Sequence, residues 1–342
     1  MKAVGLTRYL PVTDPESLKD VDLPRPEPGE RDLLVRVEAI SVNPVDTKIR
    51  RSKGPDDREA SPRVLGWDAA GVVEAIGSKV TLFQPGNEVY YAGSIIRPGA
   101  NSEYHLVDER IVAKKPRAFN MAHAAALPLT AITAFEALFD RMGISLEGRS
   151  AGNTILIIGG AGGVGSIAIQ IAKVANLRVI ATASRPESQA WCRKMGADEV
   201  IDHTKSVPDQ LQHLNCSMVD FILNNSSTEQ HWAAMSKVIK PLGRICCIVD
   251  TTEAVDLNAL KKKSVTFAWE FMFTRPMYQT EDMLEQHKLL TQVACWVDAG
   301  MIRSTLTETL SSINAANLRT AHAKLEAGHM IGKLVLTGWH DS

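Results

Sequence analysis

Thr154-Ile-Leu-Ile-Ile-Gly-Gly-Ala-Gly-Gly-Val-Gly-Ser166 decides the fold, and Ile167-Ala-Ile-Gln-Ile-Ala-Lys173 continues it. Thr154 to Ile158 is a short β-branched apolar run, the pattern of a strand buried on both faces in a parallel sheet. Gly160, Gly162 and Gly165 then complete G-x-G-x-x-G, and an apolar helical pattern follows at once. That strand–loop–helix context turns a weak motif into a dinucleotide-binding fingerprint. The first glycine is expected to allow the tight turn, the second the approach of a pyrophosphate, and the third the close packing of helix on strand. The helix start supplies unpaired N–H groups and partial positive charge to the phosphates, so Gly160, Gly162, Gly163, Val164 and Gly165 are expected to hold them.

The chain has 342 residues, 45% hydrophobic and 23% charged, with a net charge of −1. Two domains are the natural expectation. The balance recruits neither nucleic acid nor an anionic membrane. No apolar stretch reaches the ~18 residues of a membrane span, and Met1–Leu6 is too short for a signal peptide. A cytoplasmic location is expected by default. The five cysteines are odd in number and form no C-x-x-C pair, which fits buried thiols in a reducing compartment.

Residues 1–127 read as short strands between Gly/Pro turns: Lys2–Leu6, Asp32–Val42, Gly66–Gly77, Glu88–Tyr91 and Ser102–Val107, with one short helix at Val45–Arg51. This suggests a barrel-like β domain. From about Met121 the pattern changes to helix, with Ala122–Ala126 and then Thr130–Arg141, and within the expected second domain, residues 128–273, strands then alternate with helices. The strands are expected at Thr154–Ile158, Arg178–Thr182, Glu199–Ile201, Val219–Leu223, Arg244–Val249 and Ser264–Trp269. The helices are expected at Pro186–Met195 and Glu229–Ile239. This predicts a doubly wound parallel sheet, an α/β fold. Residues 274–342 read as helices at Thr280–Ala299 and Ala315–Ala327 and a closing strand at Lys333–Thr337, returning to the β domain.

An NAD site of this type places Asp or Glu after the second strand, to bind the ribose 2′-hydroxyl. Here the strand ends Ala181-Thr-Ala-Ser-Arg185 with no acid at the turn. A hydroxyl at Ser184 and a cation at Arg185 suit a 2′-phosphate, which points to NADPH. Glu187 argues against it, and a solvated surface Arg185 is the alternative. His203, after the third strand, is a candidate over the adenine or a loop histidine. Asn224 and Asn225 end the fourth strand, and Val249 and Asp250 the fifth, at the carboxyl edge where such sheets bind ligands. Capping roles remain open for all four.

The order of these pieces resembles the medium-chain dehydrogenase/reductase superfamily, with an N-terminal GroES-like β domain, a Rossmann domain and a C-terminal return strand. Local motifs are similar to its quinone oxidoreductase (zeta-crystallin-like) branch: Asn43-Pro-Val-Asp-Thr-Lys-Ile-Arg50, Gly66-Trp-Asp-Ala-Ala-Gly71, Leu127-Pro-Leu-Thr-Ala-Ile-Thr-Ala-Phe135, Gly159–Gly165 and Gly332-Lys-Leu-Val-Leu336. Tyr91–Tyr104 resembles the subgroup labelled zinc-type alcohol dehydrogenase-like. In zinc-dependent relatives two Cys and a His hold the catalytic metal. The positions that match carry Asn43, Trp67 and Leu129, none of them a thiolate or imidazole. Asp46, Asp68 and His105 are a residual set, and it lacks the Cys/His character of zinc sites. No metal is therefore expected, and without a Lewis acid alcohol oxidation is disfavoured.

The resemblance implies hydride transfer from NADPH to a quinone or an α,β-unsaturated carbonyl. Asn43 would orient the acceptor as the catalytic candidate, unless it serves only as a turn former before Pro44. Thr133 matches a position near the nicotinamide carboxamide, with Thr130 a weaker candidate, although a helix threonine bonding to its own turn is the alternative. Lys333 matches a position that reaches the cofactor, or is an edge-strand lysine. Trp67, Tyr91, Phe271 and Phe273 are expected to wall the substrate pocket, with Met272 between the last two, and Trp67 to fill the space a zinc would take. An NADPH-binding sensor or partner-binding protein with little catalysis is the second expectation, and a zinc alcohol dehydrogenase the third. The resemblance also implies a homodimer or homotetramer.

Overall fold

The computed structural model describes residues 1–339 as two compact units. One comprises Met1–Leu129, Phe273–Gly300 and the chain from Ser304 on; the other comprises Thr130–Met272 with Met301–Arg303.

In the second unit, six strands lie in the spatial order Glu199–Ile201, Arg178–Thr182, Thr154–Ile158, Val219–Asn224, Ile239–Cys247 and Thr266–Trp269. Every neighbouring pair is parallel. This is the doubly wound sheet that the apolar runs predict. Thr154–Ile158 is buried at every position because helices cover both faces of the sheet. Leu156, Ile158, Ile180, Ile222 and Ile245 share one core with Trp232, Met235 and Val238. The strand order reverses beside Thr154–Ile158, and a ligand site belongs at that switch, outside the carboxyl ends of the strands. Asn224 pairs with Ile158, so Asn225 falls beside Gly159.

The first unit is built on the ten-residue strand Asp32–Ser41. Asp68–Ile76 pairs along one edge of it. Tyr104–Asp108 takes the first half of the other edge, and Lys333–Thr337 the second half. Leu306–Ser311, Glu88–Tyr91 and Val112–Lys114 complete a seven-stranded sheet. Lys19–Asp22, Lys2–Arg8 and Arg58–Val64 form a separate three-stranded sheet. The register sets Ser41 opposite both Asp68 and Val335. Asn43, Asp68 and Lys333 therefore converge where the long strand ends.

Several elements differ from the sequence reading. The helix expected over Thr280–Ala299 forms only from Glu285 to Asp298. Upstream, Thr274–Tyr278 is its own short helix, closed by Gln279 at φ 47°. Asp282 then accepts from Thr280 Oγ1 at 2.6 Å and from Arg275 at 2.9 Å, which holds this stretch as a turn. The expected helix over Thr130–Arg141 is an α-helix to Phe135 and a π-helix from Glu136 to Arg141. The fifth strand stops at Cys247, so Val249 and Asp250 lie in the following loop. Cys295 is exposed, against the expectation of buried thiols, while the other four cysteines are buried.

Candidate functional site

The glycine loop assigns its glycines differently from the sequence expectation. Gly159, one residue before the motif, makes the left-handed turn at φ +74°. A Cβ on Gly160 would lie 2.8 Å from Ala181 Cβ and 3.0 Å from Cys192 Sγ, so Gly160 lets the first two strands and the following helix pack. A Cβ on Gly165 would press into the Gly159 carbonyl oxygen and lie 2.7 Å from the Gly160 backbone. Only the middle position is open, since a Cβ on Gly162 would meet nothing nearer than 3.6 Å. Gly162 is the N-cap of the helix Gly163–Val174 and has no side chain to cap it. The first N–H groups of that helix, at Gly163, Val164 and Gly165, are the donors an α-helix leaves for a phosphate.

Side chains that the motif does not name hold the loop. Thr182 Oγ1 accepts the Gly159 N–H at 3.0 Å. Ser166 Oγ donates to the Gly162 carbonyl at 2.7 Å and accepts the Trp191 indole N–H at 2.8 Å. Sequence reasoning missed all three. Their signal was weak: a threonine ending a strand, a serine inside a helix, and a tryptophan one helix on.

Ser184 and Arg185, both half-buried, follow the second strand at its carboxyl end, and Arg185 is the N-cap of the helix Pro186–Lys194. Glu187 is exposed. Thr133 is buried in the helix Pro128–Phe135. Asn224 is spent on the fold: its Nδ2 donates to the Ser226 carbonyl at 2.9 Å and to Thr228 Oγ1 at 3.2 Å. The adjacent Asn225 is the opposite case. Neither end of its buried side-chain amide has a hydrogen-bond partner among the described residues, and its Cβ lies against Gly159. His203 Nδ1 is likewise unpartnered, with its ring edge-on to His231 at 6.2 Å. The carbonyl of Val249 accepts from Thr228 Oγ1 at 2.6 Å, and Asp250 is exposed. A surface pocket lined by Asp220, Lys240 and Arg244 lies at the amino ends of the strands, away from the loop. Its charges are engaged, Lys240 with Asp220 at 2.9 Å and Arg244 with the Met142 carbonyl.

In the first unit, the Lys333 ammonium donates to the Val42 carbonyl at 3.0 Å, to Asp68 Oδ2 at 3.0 Å and to Asn43 Oδ1. An ammonium has three donors, so Lys333 has none left. Asn43 Nδ2 donates to Asp68 Oδ2 at 2.8 Å, and Leu129 N–H donates to Asp68 Oδ1 at 2.7 Å. Asp46 Oδ2 accepts the Asn43 N–H at 2.8 Å, whereas its buried Oδ1 has no partner among the described residues. Burial pushes the Asp46 carboxyl up to about 7, countered by the Asn43 N–H and the Lys333 charge. Asn43 and Lys333 are 1% and 3% exposed, so both work through this cluster in the present arrangement.

The pocket-wall candidates separate. Trp67 and Phe273 pack edge to face at 6.1 Å. Tyr91 lies beside His105, its hydroxyl 3.1 Å from Nδ1. His105 Nε2 lies 2.9 Å from the Pro98 carbonyl, which can only accept. Nε2 therefore carries the hydrogen, and Tyr91 donates to Nδ1. Burial lowers His105 to about 4, so the ring is neutral, and burial raises Tyr91. Phe271 belongs to the other unit and is 46% exposed.

A sequence profile for the alcohol dehydrogenase GroES-like domain matches residues 29–117, and one for zinc-binding dehydrogenases matches residues 195–336. A zinc-type alcohol dehydrogenase-like protein of Staphylococcus aureus is 46% identical over 98% of this chain and 99% of its own. The chain belongs to the medium-chain dehydrogenase/reductase superfamily. It stands close to the zinc-type alcohol dehydrogenase-like and quinone-oxidoreductase branches. The mitochondrial NAD(P)H oxidoreductase RTN4IP1 of mouse is 33% identical over 89% of this chain and 81% of its own. Two crystal structures are also similar. A putative zinc-dependent alcohol dehydrogenase protein from Rhizobium etli is 52% identical, with a TM-score of 0.95, over 100% of this chain and 99% of its own. A mycobacterial protein complexed with NADPH is 26% identical, with a TM-score of 0.83, over 99% of this chain and 100% of its own.

The family name implies zinc, and the residues do not fit it. The three matching positions offer an amide, an indole and an isobutyl group. Asn43 and Asp68 are committed to Lys333, and Leu129 contributes only its backbone N–H. Asp46 and Asp68 face Lys333 while His105 faces Tyr91. Among the described residues no group of three or more His, Cys, Asp or Glu side chains is placed to hold a metal.

Proposed function

We propose that this NAD(P)H-dependent oxidoreductase takes hydride from NADPH and delivers it, without zinc, to quinones or α,β-unsaturated carbonyls. The observation that carries the reading is the Lys333–Asp68–Asn43 cluster, a closed set of hydrogen bonds that engages Asn43 and the Leu129 backbone, two of the three positions that match the metal ligands of zinc-dependent relatives. A site with no Lewis acid suits an acceptor that is already electrophilic. NADPH supplies the hydride, and the balance is NADPH plus a proton plus enone giving NADP⁺ plus saturated ketone, or hydroquinone from a quinone.

The chain's own residues bind and orient. Gly162 and the first N–H groups of the helix Gly163–Val174 take the pyrophosphate, Ser184 and Arg185 the 2′-phosphate, and Asn225 and His203 offer their open polar atoms to the rest of the nucleotide. Thr133 fixes the nicotinamide end, and Lys333 holds Asn43 in one orientation. The unit that binds substrate spans residues 1–127 and 274–342 in this reading. The protein works as a homo-oligomer, for which the singly paired edge strand Thr266–Trp269 offers a surface, Trp269 being 46% exposed. One observation favours the second reading, nucleotide binding with little turnover: Asn43 spends its side chain on Asp68 and Lys333.

The test is NADPH oxidation followed at fixed enzyme with a panel of quinones, enones and simple ketones. Turnover confined to the first two supports the reading. Tight NADPH binding with no turnover across the panel selects the second reading.

A further inference from the structure

We propose that Trp67 Nε1–H and Ser94 O–H form a two-donor seat for the carbonyl oxygen of the acceptor. This rests on the reading of the chain as a reductase of carbonyl-conjugated acceptors and assigns the residues that select for the oxygen. Trp67 is 1% exposed and Ser94 6%, and neither the indole nitrogen nor the hydroxyl has a hydrogen-bond partner among the described residues. Buried donors are paired as a rule, and each exception asks for an explanation. An indole used only to fill space next to Phe273 has no need of its N–H, because a phenyl ring would pack there without stranding a donor.

Gly93 links the two groups: Trp67 packs beside it and Ser94 follows it in the chain. Gly93 sits at φ +64°, and a Cβ on it would lie 3.4 Å from Trp67 Cδ1, the carbon bonded to Nε1, and 3.5 Å from His105 Cε1. Gly93 puts no side chain against the pyrrole edge of Trp67, and Ser94 is the next residue. The other polar groups of this wall are already used, since Tyr91 donates to His105 and His105 donates to the Pro98 carbonyl.

Trp67 is also held in place through both of its chain neighbours. Gly66, at φ +88°, packs so closely on Asn101 that a Cβ would lie 2.7 Å from its Cγ. On the other side Asp68 is tied to Lys333, Asn43 and Leu129. An indole N–H can only donate, so the occupant must present an acceptor atom. His105 is neutral and Lys333 is neutralised by Asp68, so nothing in the wall favours an anion over a neutral carbonyl. As hydride adds to the carbon skeleton, negative charge grows on that oxygen, and donors fixed in advance bind it more strongly than the ground state.

The test labels the indole nitrogens with ¹⁵N. The chain has six tryptophans, and the signal missing from Trp67→Phe assigns Trp67. Without nucleotide, 2-cyclohexenone is expected to move the Trp67 N–H signal downfield, while cyclohexene leaves it in place. Ser94→Ala is expected to weaken the 2-cyclohexenone titration about tenfold, the loss of one hydrogen bond. In turnover, Trp67→Phe is expected to lower kcat/KM about 100-fold, as for the loss of one oxyanion donor, with NADPH affinity unchanged. A signal that ignores 2-cyclohexenone, follows cyclohexene equally, or reports only a resident water overturns the seat. Should Trp67→Phe fail to fold, Ser94→Ala with unchanged titration and kinetics overturns it as well. A downfield shift with no turnover on any quinone or enone keeps the seat and removes the reductase reading. Turnover that both variants leave intact does the reverse.

Discussion

The glycine loop and the Lys333 cluster are both polar, and the fold treats them in opposite ways. The loop is left open: a Cβ on Gly162 would fit without a clash, Asn225 beside Gly159 has no hydrogen-bond partner for its amide among the described residues, and neither has His203 Nδ1 after the edge strand Glu199–Ile201. The cluster is closed, with Lys333, Asn43 and Asp68 consuming one another's hydrogen bonds. Open groups are what a ligand completes, whereas a closed buried network fixes geometry and tolerates no missing member. In the proposed reading the first region recognises the nucleotide, and the second fixes the geometry of its own unit around Asn43.

The sharpest way to break this contrast is Lys333→Met. It leaves Asp68 buried without its cation, and the protein is expected to lose about 3–5 kcal/mol in urea unfolding, the usual result of halving a buried pair. A variant as stable as the parent would show that the cluster is not closed. Arg185→Ala tests the open side. NADPH is expected to bind roughly 10–100-fold more weakly, as for a lost charged hydrogen bond, with NADH unaffected in parallel titrations. Equal weakening of both nucleotides would remove the 2′-phosphate contact.

The glycines divide in the same way within one loop. Gly165→Ala is expected to destabilise the protein by about 1–3 kcal/mol by overpacking against Gly159 and Gly160. Gly162→Ala is expected to change stability by less than about 0.5 kcal/mol, because its Cβ meets nothing nearer than 3.6 Å, while weakening NADPH if the pyrophosphate sits there as proposed. Thermal melts with and without nucleotide separate the two.

The smallest expected effect is a slope. A carboxyl whose pKa is raised on folding holds its proton more tightly in the native state. The contribution of Asp46 is therefore full below the ordinary carboxylate pKa of about 4 and is lost as pH rises through about 7. Asp46→Asn should flatten that loss in urea titrations across this window. His105, lowered to about 4, runs the other way, its contribution falling as pH drops below about 6.5, and should be unchanged in the variant.

Much of the open region was legible in the sequence, because strand, loop and helix adjoin within twenty residues and each has its own local pattern. Even there the turn at Gly159 and the support from Thr182 and Trp191 needed coordinates. The cluster was legible only residue by residue. Lys333 lies 290 positions from Asn43 and 265 from Asp68, so no spacing rule joins them; the antiparallel register does. Strand Leu306–Ser311 was missed because its alternation has no buried face, and Arg58–Val64 because of Pro62. The break at Asp282 depends on side-chain bonds to Arg275 and Thr280 that helical periodicity does not register.

The most direct test is to measure bound metal and NADPH-dependent quinone turnover on one preparation, before and after exhaustive chelation. The closed Lys333 cluster predicts substoichiometric zinc and turnover that chelation leaves unchanged. Stoichiometric zinc, with turnover lost on chelation and restored by zinc, would contradict it.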